Sequence, residues 1–208
     1  MQKRAPDKLL SAIKRNQLIY EVAWYAYRKY SNLRYKREFY SRIKQLNPDR
    51  YPDTSSKPNL NVIILTIDCL RSSQLSCHGY SRKTTPFLDS FDSTFRAVSA
   101  SNWTYPSVSS LLTGLYPHNH NAIIGGKIKN FDKLENFYRI RKNILTLPEM
   151  LFLMGYRVYF GTAIDTAFYP LKGRVVPEIY RCSTRADELL SDLIRWISKR
   201  GSPFFAYL

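Results

Sequence analysis

The 208-residue sequence has little cysteine: only Cys69, Cys77 and Cys182. An odd number at irregular spacing makes neither a disulfide framework nor a zinc pattern. A reducing, cytoplasmic setting is the expectation. Long apolar runs are also missing. VIIL and FFAYL are far too short to span a bilayer. The amino end, MQKRAPDKLLSAIKRNQ, has no continuous apolar core, so no secretory signal is expected. Without such a signal, the glycosylation sequon Asn102-Trp103-Thr104 reads as coincidence. Acidic residues are scarce: sixteen Asp/Glu stand against 32 Lys/Arg, a net charge of +16. There are no internal repeats and no low-complexity tract. Disordered, collagen-like and disulfide-rich classes are excluded.

What is present is enough apolar material for one sizeable core, 44% hydrophobic and 14% aromatic residues. The basic excess is uneven. Residues 1–60 hold 14 Lys/Arg and 5 Asp/Glu. Within them, residues 8–46 read as helical. Ile19, Val22, Ala23, Ala26, Tyr30 and Leu33 recur at three- and four-residue steps, and Phe39, Ile43 and Leu46 continue after a break. The other faces carry Lys and Arg. This helical extension suits docking on its own domain, or an anionic membrane surface met by residues 1–46. That makes the expected location cytoplasmic or peripheral on a membrane. No nucleic-acid module is recognisable, so nucleic acid is not an expected partner. The stretch NPDRYPDTSSKPN (47–59) reads as a linker, dividing an extension (1–58) from a second domain (59–208).

After the linker the pattern changes. NVIILTI (61–67) is a continuous β-branched run, expected as a strand buried on both faces. Thr85-Pro86 opens a short helix. Thr146-Leu147-Pro148-Glu149 has capping-box spacing and starts a helix ending at Gly155. RVYF (157–160) is a second strand. Ser183 or Thr184 caps a helix whose stripe is Ala186, Leu189, Leu190, Leu193, Ile194 and Ile197, ended by Gly201. PFFAYL (203–208) is a third strand. Alternating strands and helices indicate an α/β domain, a mostly parallel sheet covered by helices. Because the sequence stops in a strand, a truncated domain is expected.

Two positions carry candidate chemistry. Asp68 directly follows NVIILTI, and ligands of open α/β sheets bind beyond the carboxyl ends of the strands. It suits a divalent cation, or a structural role capping the next turn or pairing with Arg71. Thr104, in WTYPSVSSLLTG (103–114), takes the N-cap position of a helix ending at Thr113-Gly114. Its hydroxyl is either a cap or a nucleophile at a positive helix end suited to a sulfate or phosphate group. Together, Asp68 would hold a metal that activates the Thr104 hydroxyl. Oxygen ligands favour Ca²⁺ or Mg²⁺, with Mn²⁺ or Zn²⁺ also open.

The ordered pieces NVIILTIDCLR (61–71), HGY (78–80), TTPFLD (84–89) and WTYPSVSSLLTGLYPHNH (103–120) resemble the N-terminal part of the sulfatase family, in the alkaline phosphatase superfamily. LPEMLFLMGYRV (147–158) and PFFAYL look like its next units. The resemblance spans about residues 60–208. It implies a metal-dependent hydrolase of sulfate esters, with Ca²⁺ the foremost cation. In that family a Cys or Ser, converted to formylglycine, is the nucleophile. Thr104 stands there, so no formylglycine is expected. Thr is the nucleophile in related phosphotransferases of the superfamily, so a phosphodiesterase or phosphotransferase is the alternative. A non-enzymatic protein binding through its basic helix is the second alternative. Asp68 carries over as a metal ligand; Cys69 stands where a second Asp often follows. Pro106, Ser107, Thr113 and Gly114 match the signature, while Val108 replaces its Arg. The family's Lys after the second strand is absent at Gly161-Thr162. Its remaining metal ligands lie beyond residue 208, so the chain is expected to be inactive alone. Arg71, Ser107 and His120 are the candidate substrate or supporting residues. His118 and His120 sit near a helix end, where His most often meets the last carbonyls.

Overall fold

A computed structural model describes residues 36–45, 60–124, 137–164, 167, 169–171, 174, 179–182, 185–199, 201 and 203–208. The chain divides into two compact units. One comprises Met1–Arg50 with Lys172–Val176, the other Tyr51–Leu171 with Pro177–Leu208. In the first, residues 36–43 are helical. Phe39 is fully buried, and its ring meets Tyr40 edge-on while the Arg42 guanidinium lies 5.9 Å from its centre. Burial lowers the Arg174 guanidinium to about 10, opposed by the charge of Glu38. Most of the expected basic helix, residues 8–35, lies outside the described residues, and so does the surface contact expected of it. Among the described residues no helix is long and apolar enough to cross a membrane.

The second unit holds a four-stranded sheet: β1 (Val62–Ile64), β2 (Arg157–Thr162), β3 (Ile179–Cys182) and β4 (Phe204–Tyr207), in the order β1-β4-β2-β3. All three pairings are parallel. β4 therefore enters last between β1 and β2. A central position explains why every residue of FFAY is buried. The α/β class with a parallel sheet is as expected. The number of strands is not. β3, with the short sequence IYRC, follows a proline and has no apolar run to announce it.

β1 corrects a second expectation. It is an edge strand of three residues, not one buried on both faces. Val62 and Ile64 are half-buried, and Ile63 is 52% exposed. A β-branched run signals extended backbone, but it does not say which place in the sheet the strand will take. The backbone past β1 is held to β4 by Thr66 N–H donating to the Leu208 carbonyl at 2.7 Å and by the Thr66 hydroxyl at 2.8 Å.

Among the described residues of this unit the α-helices include α1 (Thr104–Thr113), α2 (Pro117–His120), α3 (Leu147–Leu153) and α4 (Ala186–Ser198). α4 covers one sheet face. Leu189, Leu193 and Trp196 pack with Tyr159, Phe204, Ala206 and Leu208, and Ile197 joins from the rim. Leu190 and Ile194, expected on that stripe, are exposed, because Trp196 takes the buried face instead. Its N-cap is Arg185, one or two residues later than expected, with no side-chain cap bond. α3 begins with the expected capping box: the Thr146 amide and hydroxyl both donate to Glu149 Oε2, at 2.8 and 2.9 Å. The helix expected at Thr85-Pro86 is a single 3₁₀ turn, Leu88–Ser90. It is tied back through Asp89, which accepts bonds from the Ser76 and Thr85 hydroxyls and the Cys77 amide. Those bonds hold the Asp89 carboxyl below its usual range, the Ser76 bond most.

Candidate active site

The turn after β1 and the start of α1 meet at the carboxyl end of the sheet. Asp68 is exposed there, and the next residue, Cys69, adopts a left-handed φ of 59°. That conformation is uncommon for a residue with a Cβ. It turns the chain sharply after Asp68 and leaves the Cys69 thiol 3.8 Å from Asp68 Oδ2.

α1 starts one residue earlier than expected. Trp103, in extended conformation, is the N-cap, and Thr104 is the first helical residue. The first helical bond runs from Ser107 N–H to the Trp103 carbonyl. The Thr104 hydroxyl is therefore not the cap. It donates to Asp68 Oδ1 at 3.0 Å. The helix is anchored by Tyr105, whose hydroxyl donates to the Tyr138 carbonyl at 2.7 Å. The Tyr105 ring packs among Trp103, Phe137 and Tyr169. Burial foremost raises its phenol well above the usual value. At the far end Gly114 takes φ 69°, a left-handed C-cap that suits glycine.

The other candidates fall in different places. Ser107 is turned to the preceding loop: its hydroxyl donates to the Ser101 carbonyl and accepts from the Ser99 hydroxyl, both at 2.9 Å. It fixes the loop beside Thr104. His120 is fully buried and does not meet helix-end carbonyls in the way expected. Its Nδ1 accepts the Ala122 amide at 2.9 Å, so Nε2 carries the proton, 2.9 Å from Ser110 Oγ. Burial lowers its pKa, an effect opposed by a bond to the Pro106 backbone and reinforced by the charge of His118. Arg71 is exposed, and no ion pair joins it to Asp68. His118 stacks on Tyr116, with ring centres 6.0 Å apart. At the position without the family's Lys, the Thr162 hydroxyl closes the turn after β2 by donating to the Ile164 carbonyl at 2.8 Å.

Asp68 and Thr104 share an open cleft of about 1130 Å³ with Arg71, Ser107 and Val108. Tyr207 and Thr66 form part of its wall and were not foreseen from the sequence. Their hydroxyls are 3.2 Å apart, and burial, together with the Asp68 charge but against the Thr66 bond, raises the Tyr207 phenol. Thr66 lies on the path from β1 to Asp68, and its bond to the Leu208 carbonyl sets it beside the end of β4.

The donors at this place are oxygens, a carboxylate and a hydroxyl, which suit a hard divalent cation in kind. In number they fall short, since among the described residues no group of three or more His, Cys, Asp or Glu could hold a metal ion.

A parallel α/β sheet with a hydroxyl and a carboxylate paired beyond its strand ends places polar groups where α/β proteins bind their ligands. The sulfatase family model matches residues 60–208, and the chain belongs to the sulfatase family. It is a sulfatase-family hydrolase, from a family that acts on sulfate esters and generally uses a divalent metal. Comparison with curated proteins and with solved structures returns no match.

Proposed function

We propose that the chain carries the nucleophile, Thr104, of a metal-dependent hydrolase of sulfate esters, and that with Asp68 as its one carboxylate at the cation its turnover alone is weak. The observation that carries this reading is the 3.0 Å bond from the Thr104 hydroxyl to Asp68 Oδ1. A hydroxyl whose proton already points at a carboxylate is poised to lose it as its oxygen attacks. Thr104 Oγ1 would bond to sulfur as the ester S–O bond breaks. Its proton passes to Asp68, and the departing alcohol oxygen takes a proton from water in the open cleft; the hydroxide left then bonds to sulfur as the S–Oγ1 bond breaks, the Asp68 proton returns to Oγ1, and sulfate leaves. The free first-turn amides of α1 favour the negative charge that develops on the sulfuryl oxygens.

Asp68 would hold the cation, and Ca²⁺ is the foremost candidate. A bound cation would supply positive charge beside the ester oxygens. Arg71, free of Asp68, is available to the substrate anion. Ser107 is a positioning residue through Ser99 and Ser101.

A threonine at this place also favours a second reading, transfer or hydrolysis of phosphate esters. The two separate on a panel of 4-nitrophenyl sulfate and phosphate esters with Ca²⁺, Mg²⁺, Mn²⁺ or Zn²⁺. Sulfate turnover that Thr104→Ala abolishes supports the first. Turnover of phosphate esters alone selects the second. Turnover unchanged by Thr104→Ala refutes both assignments of the nucleophile.

A further inference from the structure

The cleft around Thr104 and Asp68 has an unusual lining for a site that handles an anion. Ile67, Leu70, Val98, Leu111, Tyr116 and Ile164 all line it and all expose substantial apolar surface; Ile67 is 56% and Leu111 50% exposed. Val108 adds a further aliphatic wall. Among the described residues that line it, Arg71 is the one Lys or Arg. Tyr116 is held there by its ring stacking on His118, the two planes inclined by 7°. Contiguous exposed apolar surface beside a few convergent polar groups is the signature of a site for an apolar ligand with a polar head.

A multiply charged sugar would leave its other anions facing aliphatic walls, with one guanidinium for all of them. That carries the desolvation cost of unpaired charge. A singly charged ester with a hydrocarbon tail meets no such cost. Its head reaches Arg71 and the start of α1, and its chain covers Ile67, Leu111 and their neighbours. Resting on the sulfate-ester reading above, we infer that the cleft takes a monoanionic ester carrying an extended aliphatic group, bound as a free monomer.

The test reads binding and needs no turnover. Ethyl, butyl, hexyl and octyl sulfate, each below its micelle threshold, are titrated calorimetrically into the full chain. Glucose 6-sulfate is the polar control of equal charge. Affinity should rise by about two- to fourfold per added methylene, and octyl sulfate should bind more tightly than the sugar sulfate. Leu111→Asp and Ile67→Ser, both at surface-exposed positions outside the core, should flatten the dependence on chain length. Equal affinity for ethyl and octyl sulfate overturns the inference. So does tighter binding of the sugar sulfate, or a dependence that survives in both variants, which would locate tail binding elsewhere. Thr104→Ala bears only on turnover, so failure of the nucleophile assignment and failure of the aliphatic site are read separately.

Discussion

The Thr104 hydroxyl donates to Asp68 Oδ1 at 3.0 Å, joining the first residue of α1 to the turn after β1. Local rules make Thr104 a helix cap, with its oxygen accepting an amide of the first turn. The extended Trp103 takes the cap position instead, and the hydroxyl is left for the carboxylate. The same atom therefore acts across the sheet end rather than along its own helix.

Asp68→Asn separates orientation from charge. An Asn oxygen still accepts the hydrogen bond from Thr104 but cannot take the proton, and as a neutral ligand it holds a cation more weakly. Turnover should fall by about a hundredfold or more, and calorimetric cation binding should weaken. Because Asp68 is exposed, the unfolding free energy should change by less than about 0.5 kcal/mol. Unchanged cation affinity would remove Asp68 from the metal assignment.

His120 ties α2 to Ser110 of α1. Its Nδ1 must stay unprotonated to accept the Ala122 amide, and burial lowers its folded pKa below the ordinary 6.5. The unfolded chain then binds a proton that the folded chain refuses. The stabilisation is present above pH 6.5 and is lost as pH falls from there through the lowered folded value. His120→Ala should cost about 3 kcal/mol by orphaning Ser110 and the Ala122 amide, and should flatten that part of the pH profile. Denaturant unfolding between pH 5 and 8 measures both.

The capping box of α3 should be worth about 1–2 kcal/mol at Thr146, which is fully buried with Glu149. Thr146→Ala removes the hydroxyl donor to Glu149 Oε2. A drop in unfolding midpoint, with catalytic constants unchanged, identifies the box as structural.

The fold was partly legible. RVYF and FFAYL stood out as strands because aromatic and β-branched side chains fill both faces. The Thr-x-x-Glu spacing named α3's start because that motif is purely local. β3 was not legible: four residues with an Arg carry no periodic signal. Nor was β1's edge position, since burial is decided by which strand arrives beside it, here β4 on one side only. At the site, Asp68 was legible from its place after a strand and Thr104 from its place before a helix. The partners of Ser107 and His120 depend on where loops 99–101 and 121–122 run, and Trp196 displaced Leu190 and Ile194 for the same non-local reason. Tyr207 reaches the cleft because β4 lies next to β1, a neighbour relation absent from the order of the chain.

The most direct measurement is the mass of the tryptic peptide 97–127, which contains Thr104, after rapid acid quench of the chain turning over 4-nitrophenyl sulfate with a divalent cation. A sulfuryl group is expected on Thr104, absent from Asp68→Asn and from Thr104→Ala, and restored by Thr104→Ser on the serine. Turnover with an unmodified peptide, or with the group on another residue, would contradict it.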